Sequence, residues 1–191
     1  KYEYCDLLIT GSGPSGLASA YAAAKNGARV ILAEDKPRFG GSLLTSDVNI
    51  GNQTGVEWTE KIIAELKSMP NVTVKNRSQV FGYYDHNMLV MSERISDHLP
   101  KTQKYLPKQR LWYIRANEVL ISSGSIERPL VFGNNDTPGV MLSSAAKEYM
   151  KVYGVLVGKK PLIFTNNDSG YETAIEFKKN GVNPIILDTR S

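Results

Sequence analysis

Residues 5–20, CDLLITGSGPSGLASA, run from an apolar segment through three glycines into an alanine-rich one. Leu7, Leu8 and Ile9 form the continuous apolar run of a parallel strand covered on both faces. Gly11, Gly13 and Gly16 follow at once. Leu17 to Lys25 then reads as a helix stopped by Asn26-Gly27, and Arg29 to Glu34, RVILAE, reads as a second strand. Strand, glycine turn, helix and strand within about thirty residues make a βαβ unit.

In such a turn each glycine has its own task. Gly11 permits the sharp exit from the strand, Gly13 lets the backbone approach a pyrophosphate with no Cβ in the way, and Gly16 lets the helix lie close on the sheet. Ala20, one turn on, keeps that contact thin. Free N–H groups near Ser15 and the positive end of the helix dipole then hold phosphates. Pro14 suits the first turn because its missing N–H has no intrahelical partner there. Glycines also cluster in ordinary turns, so the motif alone is weak. Here it follows a strand, opens a helix and starts 23 residues before Glu34 at the next strand end, the context of a dinucleotide site. Glu34 is placed to accept hydrogen bonds from adenosine ribose hydroxyls. With Asp35 beside it, it repels a 2′-phosphate, so NAD or FAD is expected over NADP, an exclusion that Lys36 and Arg38 soften.

The composition is that of a globular protein. The 191 residues are 41% hydrophobic and 22% charged, with a net charge of +4, enough apolar material for a real core. Lysines and arginines are scattered rather than striped, which argues against nucleic acid. No apolar run approaches the ~20 residues of a membrane span and no leader precedes the first strand, so a soluble, cytoplasmic protein is expected. Cys5 is the only cysteine. That leaves no internal disulfide, CxxC pair or Cys-rich metal site, and Cys5 reads as a small core residue.

Farther along, Glu57 to Met69 reads as a helix with Trp58, Ile62, Leu66 and Met69 on one face, and Val72 to Lys75 as a short strand. QVFGYY, MLVM and LWYIR, between Gln79 and Arg115, read as an antiparallel excursion off the parallel sheet. Val119 to Ser122 returns to the buried-strand pattern and runs into Ser123-Gly124. Ala146, Tyr149, Met150 and Tyr153 mark a helix stopped at Gly154. From Lys160 a second βαβ unit begins: PLIFT, a helix from Ser169 to Asn180 whose start Ser169 and Glu172 mark with capping-box spacing, and PIILD. Its turn, TNNDSGY, lacks the glycines of a nucleotide loop. The expected architecture is an α/β, Rossmann-like FAD/NAD(P)-binding fold over residues 1–157, followed over 158–191 by the first βαβ unit of a second dinucleotide-type domain.

RFGGSLL, VLISSGSIERP and NNDTPGV resemble the flavoproteins built from two dinucleotide domains. That group usually has Ala-Thr-Gly where this chain has Ser122-Ser123-Gly124, and its disulfide-reductase branches carry a cysteine pair that these residues lack. A closer resemblance is carried by LAEDKPRFGGSLL, VFGYYDHNMLV, the stretch from RLWYIRANEVL through ERPLVFGNNDTPGV to KEYMKVYGV, and IFTNNDSGYETA. Together, over nearly the whole chain, they resemble the α subunit of heterotetrameric sarcosine oxidase. The resemblance implies that sarcosine is oxidised on FAD in a β subunit, that a second flavin, FMN, sits between α and β, and that oxygen is reduced to hydrogen peroxide. It implies γ and δ subunits, a noncovalent NAD in the α subunit, and tetrahydrofolate chemistry in that subunit's C-terminal region. Its NAD contacts fall on Ser15, Glu34, Asp35, Lys36, Ser42 and Val80. Gly41, Ser123 and Gly124 complete the expected cofactor-binding set.

Other residues read as structural. His86, in a turn beside Asp85, and His98 have no cysteine near them and make no zinc site. Lys101, Lys104, Lys108 and Arg110 read as a solvated loop able to face another subunit. Tyr83, Tyr84, Trp112 and Tyr113 read as sheet packing rather than flavin stacking. No nucleophile or acid/base pair stands out, so an NAD-holding, scaffolding role is expected. The alternatives are an FAD domain of a nicotinamide-dependent flavoprotein, and an interaction module with an empty pocket.

Overall fold

The computed structural model describes residues 1–100 and 105–190, so the expectation for Lys101 and Lys104 lies outside the described residues. The elements are β1 (Tyr2–Thr10), α1 (Pro14–Lys25), β2 (Val30–Ala33), β3 (Asn49–Ile50), β4 (Gln53–Thr54), α2 (Gly55–Ser68), β5 (Val72–Lys75), β6 (Ser78–Tyr84), β7 (Met88–Arg94), β8 (Gln109–Ile121), α3 (Ser143–Tyr153), β9 (Leu162–Thr165), α4 (Ser169–Lys179) and β10 (Ile185–Asp188). They form two compact units, residues 1–124 and 125–191. None of the described helices is long and apolar enough to cross a membrane.

The first unit is built on a six-stranded sheet of order β5-β2-β1-β8-β7-β6. β5, β2, β1 and β8 run parallel, with Leu8 opposite both Ile31 and Val119, whereas β7 and β6 return antiparallel. This is the Rossmann-like parallel core with its antiparallel excursion. One detail differs from expectation. LWYIR and VLIS are not separate strands but the two halves of β8, whose 13 residues pair with β7 at one end and β1 at the other. The polar RANE between them hid this, yet Trp112, Ile114 and Ala116 are buried while Leu111, Arg115 and Asn117 are exposed, the period of a strand.

Two cores flank the sheet. α1 has no β-branched residue, which favours helix, and it buries Gly16, Leu17, Ala20 and Ala24. With Ile62, Ile63 and Leu66 of α2 these pack on Ile9, Val30 and Leu32. The other face of β1 and β2, Cys5, Leu8, Ile31 and Ala33, is covered by Leu89, Met91, Trp112 and Ile114. The Trp112 indole N–H donates to Glu93 at 2.7 Å, and Lys75 lies 4.3 Å from the ring centroid while pairing with Glu93. Trp112 is therefore sheet packing, as expected. Tyr113 stacks on Tyr2 at 5.2 Å. Tyr83 and Tyr84 are instead about half exposed.

α2 starts with a capping box: Thr54 Oγ1 accepts from the Glu57 amide, and the Thr54 amide donates to the Glu57 carboxylate. The box expected at Ser169 and Glu172 does not form. The Ser169 amide and hydroxyl both donate to Asn167 Oδ1, and Glu172 is drawn to Lys147 of α3 at 2.6 Å.

In the second unit β9 and β10 pair in parallel through α4, a βαβ arrangement. Ala146 and Met150 of α3 pack with Ile163, Ala174 and Phe177. The contacts thus divide the chain at Gly124/Ser125, earlier than the 157/158 boundary expected from the sequence, because α3 packs on α4.

Candidate functional site

Three segments meet at the carboxyl ends of β1 and β2: the glycine turn 11–16, the tip Glu34–Lys36, and the Gly40–Ser42 stretch that leads into a short 3₁₀ turn, Gly41–Leu44. The glycines differ in what surrounds them. Gly11 has φ +100°, and a Cβ there would lie 2.4 Å from the Ser122 carbonyl oxygen; one on Gly16 would lie 2.0 Å from that of Gly11. Both are demanded by packing. A Cβ on Gly13 would meet nothing within 4 Å, so this position is smooth backbone facing open space. Gly13 is the N-cap of α1, with Pro14 in the first turn, no side-chain cap and no acidic residue within that turn. Those N–H groups and the dipole of a 12-residue helix are free to meet an anion. α4 makes the contrast, because Asn167 already occupies its first amide.

Gly40 and Gly41 bring the second loop in. Their φ values are +122° and +52°, and a Cβ on Gly41 would lie 2.9 Å from Gly13 Cα. The Gly40 amide donates to the Ser12 carbonyl at 3.1 Å. Ser15, Gly41 and Ser42 are exposed beside this contact. On the other side the Ser122 amide donates to the Thr10 carbonyl at 2.8 Å, which sets Ser123 and Gly124, both exposed, next to the turn. Gly124 has φ +73°, the left-handed conformation that glycine tolerates.

Glu34 ends β2 and is 6% exposed. Its Oε2 accepts from the Ser12 amide at 2.9 Å and the Ser12 hydroxyl at 2.5 Å, and its Oε1 accepts from the Lys36 amide at 3.0 Å. Burial, and then a hydrogen bond with Asp35, push the Glu34 carboxyl above its ordinary range, while the Ser12 and Lys36 bonds pull it down. Oε2 thus has both lone pairs engaged, while Oε1 has one acceptor site beyond the Lys36 amide, to which a ribose hydroxyl can donate. Asp35 and Lys36 are exposed at the tip. Val80 lies two residues past Ser78, whose amide donates to the Glu34 carbonyl at 2.7 Å. Its side chain packs on the core and its main chain pairs with Met91 in the edge strand β6.

The sequence-predicted residues therefore gather around one crevice, with Val80 on its flank. Sequence reasoning missed Ser12. It is fully buried and links all three segments, yet it occupies a variable place in GSGPSG, and only the fold brings Glu34 and Gly40 to it. A separate cavity of about 290 Å³ is lined by Arg38, Phe39, Val56, Ile63 and Lys67 among others, and by none of the predicted site residues. His86 is an exposed turn residue with φ +57°. Among the described residues no cluster of three or more His, Cys, Asp or Glu could hold a metal.

Comparison with known proteins bears on the family and the fold. The sequence model of the family described as FAD dependent oxidoreductase matches residues 6–68, from β1 through α2. Sarcosine oxidase subunit alpha of Rhizobium meliloti (strain 1021) is 44% identical over all of this chain, which covers 19% of that protein. The subunit of the same name from Corynebacterium sp. (strain P-1) is 37% identical, again over the whole chain and 20% of its own length. The chain thus spans about one fifth of the length of these relatives. Among solved structures, L-proline dehydrogenase from P. horikoshii superposes with a TM-score of 0.78 at 22% identity, covering 98% of this chain and 36% of that one, a likeness of fold. The chain is a homologue, along its whole length, of a segment of sarcosine oxidase subunit alpha, built on the Rossmann-like fold of FAD-dependent oxidoreductases.

Proposed function

We propose that residues 1–124 bind an adenine dinucleotide, as part of the α subunit of a multisubunit oxidase acting on sarcosine or a related N-methylated amine. The observation that carries this is the uncapped start of α1 at Gly13, open to an anion, with the amide of the preceding Ser12 bonded to the buried Glu34 carboxylate at the tip of the neighbouring strand. In this reading the bridging phosphates lie against the Gly13, Ser15 and Gly16 amides, with Gly41, Ser42, Ser123 and Gly124 around them. The adenosine ribose lies on Glu34, with Asp35 and Lys36 at its rim and the adenine toward Val80. The dinucleotide is NAD, held without covalent attachment. This portion binds and scaffolds, while the amine is oxidised on flavin carried with a β subunit, γ and δ complete the complex, and tetrahydrofolate is handled by the rest of the longer α chain. Identity of 44% over the whole chain to a sarcosine oxidase subunit alpha supports that assignment.

A second reading puts FAD in the same crevice, in a protein that passes hydride between a nicotinamide and that flavin. The FAD dependent oxidoreductase match over residues 6–68 favours it, and the ADP half is common to both. Denaturing the purified protein separates them. NAD in a colourless supernatant supports the first reading and yellow FAD the second; no nucleotide, with no uptake of added NAD or FAD, contradicts both and leaves an interaction module.

The second unit we read as the start of another dinucleotide-type domain. Leu162, Ile185 and Leu187 of its two parallel strands are 62%, 68% and 53% exposed, and parallel sheets are covered on both faces.

A further inference from the structure

Ser12 stands in the middle place of Gly-Ser-Gly, where the glycine motif asks for no particular side chain, and yet it is fully buried. Its hydroxyl donates to Glu34 Oε2 at 2.5 Å and receives the Gly40 amide at 3.2 Å, and its own amide donates to the same carboxylate oxygen at 2.9 Å. A serine placed only for its size would leave its hydroxyl to a local carbonyl. This one is spent on a carboxylate 22 residues away in sequence, which it holds by two donors at once.

We propose that Ser12 is the positioning residue that decides which adenosine ribose the crevice accepts: its paired donors fix Glu34 as an oriented carboxylate at the strand tip, and that fixed charge rejects a ribose bearing a 2′-phosphate. The proposal rests on the dinucleotide reading above and deepens it. Burial disfavours the charged form of Glu34, and a neutral acid does not repel a phosphate. The groups that face Glu34 are few. From its own strand end come Asp35, which raises its pKa, and the Lys36 amide, which lowers it; from the glycine turn come the two Ser12 donors. β5 and β6 contribute main chain at Lys75 and Ser78. Lys75 turns its ammonium to Glu93 and Trp112. The Ser12 hydroxyl therefore supplies a side-chain hydrogen bond that favours the charged form of Glu34.

Discrimination against the 2′-phosphate is complete above the Glu34 pKa and is lost as pH falls through it. Removing the Ser12 hydroxyl raises that pKa, so the loss begins at higher pH. The fold tolerates the change, because the Gly40 amide keeps the Ser12 carbonyl as acceptor.

The test uses the wild-type protein and the variants Ser12→Ala and Ser12→Cys, each freed of co-purifying nucleotide and titrated with ADP-ribose and 2′-phospho-ADP-ribose from pH 5 to 9. A parallel carbon NMR titration follows the Glu34 carboxyl. In Ser12→Ala the pH at which discrimination is half lost, and the Glu34 titration with it, moves upward by about one pH unit, the size expected for losing a hydrogen bond to a charged group. Ser12→Cys keeps the volume with a weak donor and follows the alanine variant. An unmoved Glu34 titration overturns the proposal whether or not nucleotide binds, and so does a cysteine variant that behaves as wild type, which would make Ser12 a matter of packing. A moved titration in a wild-type protein that binds neither probe overturns the dinucleotide reading, and with it the selectivity assigned to Ser12, while leaving the clamp on Glu34 intact.

Discussion

At the scale of single residues, Glu34 and Cys5 show how burial changes chemistry within one strand pair. Glu34 keeps an acceptor site on Oε1 for a ribose hydroxyl, and a hydrogen bond to a charged group contributes about 1.5–3 kcal/mol. Glu34→Ala is therefore expected to weaken dinucleotide or ADP-ribose binding by at least about tenfold; calorimetric titration at neutral pH measures it, and unchanged affinity places the ribose elsewhere. Cys5 sits 1% exposed on the face of β1 that Leu89, Met91, Trp112 and Ile114 cover. Burial first, then Asp6 and Glu3, push its thiol up to about 12. A thiol at that value carries almost no thiolate at pH 8. The folded protein should resist alkylation by iodoacetamide at that pH and react at one site once unfolded. Modification of the native protein would mean that the β1 core opens readily. Cys5 was legible from its neighbours, an apolar strand with no second cysteine. Ser12 was not, because nothing local distinguishes a serine between two glycines.

At the scale of elements, the glycine turn separates packing from ligand approach. Gly16→Ala drives a Cβ into the Gly11 carbonyl and should cost about 2 kcal/mol of stability, as overpacking does. Gly13→Ala has room, so it should leave stability within about 1 kcal/mol while lowering nucleotide affinity about tenfold or more. Thermal melting and titration of the two variants give the pair of numbers, and the reverse ranking contradicts the roles assigned here. Helix starts teach a related lesson. Thr54 and Glu57 stand three apart before an apolar run, the signature of a capping box, and they form one; Thr54→Ala should lower the melting temperature by about 3 °C. Ser169 and Glu172 have the same spacing and do not, since Asn167 and Lys147 are better partners in three dimensions. Spacing proposes a cap, and competition among neighbours decides it. β8 shows the opposite failure: its alternation was present in the sequence, but the charged residues on its exposed face looked like a break.

At the scale of the whole molecule, the parallel core and its cofactor motif were legible because they depend on local order along the chain: apolar run, glycines, helix, apolar run, acid. The division at Gly124/Ser125 was not, because α3 is assigned by what it packs against. The two units should also differ in resistance to opening. β1, β2 and β8 lie between two cores, whereas β9 and β10 form a two-stranded sheet with Ile185 and Leu187 exposed. Local opening follows buried apolar contact, so hydrogen exchange should be markedly faster in β9–β10 than in β1–β2; equal protection would contradict this ordering.

The most direct measurement is a crystal structure of the protein grown with NAD. Density is expected for the bridging phosphates within hydrogen-bond distance of the Gly13 and Ser15 amides, and for an adenosine ribose hydroxyl on the Glu34 carboxylate. A dinucleotide seated at any other place in the chain, or a crevice that stays free of it at saturating concentration, would contradict it.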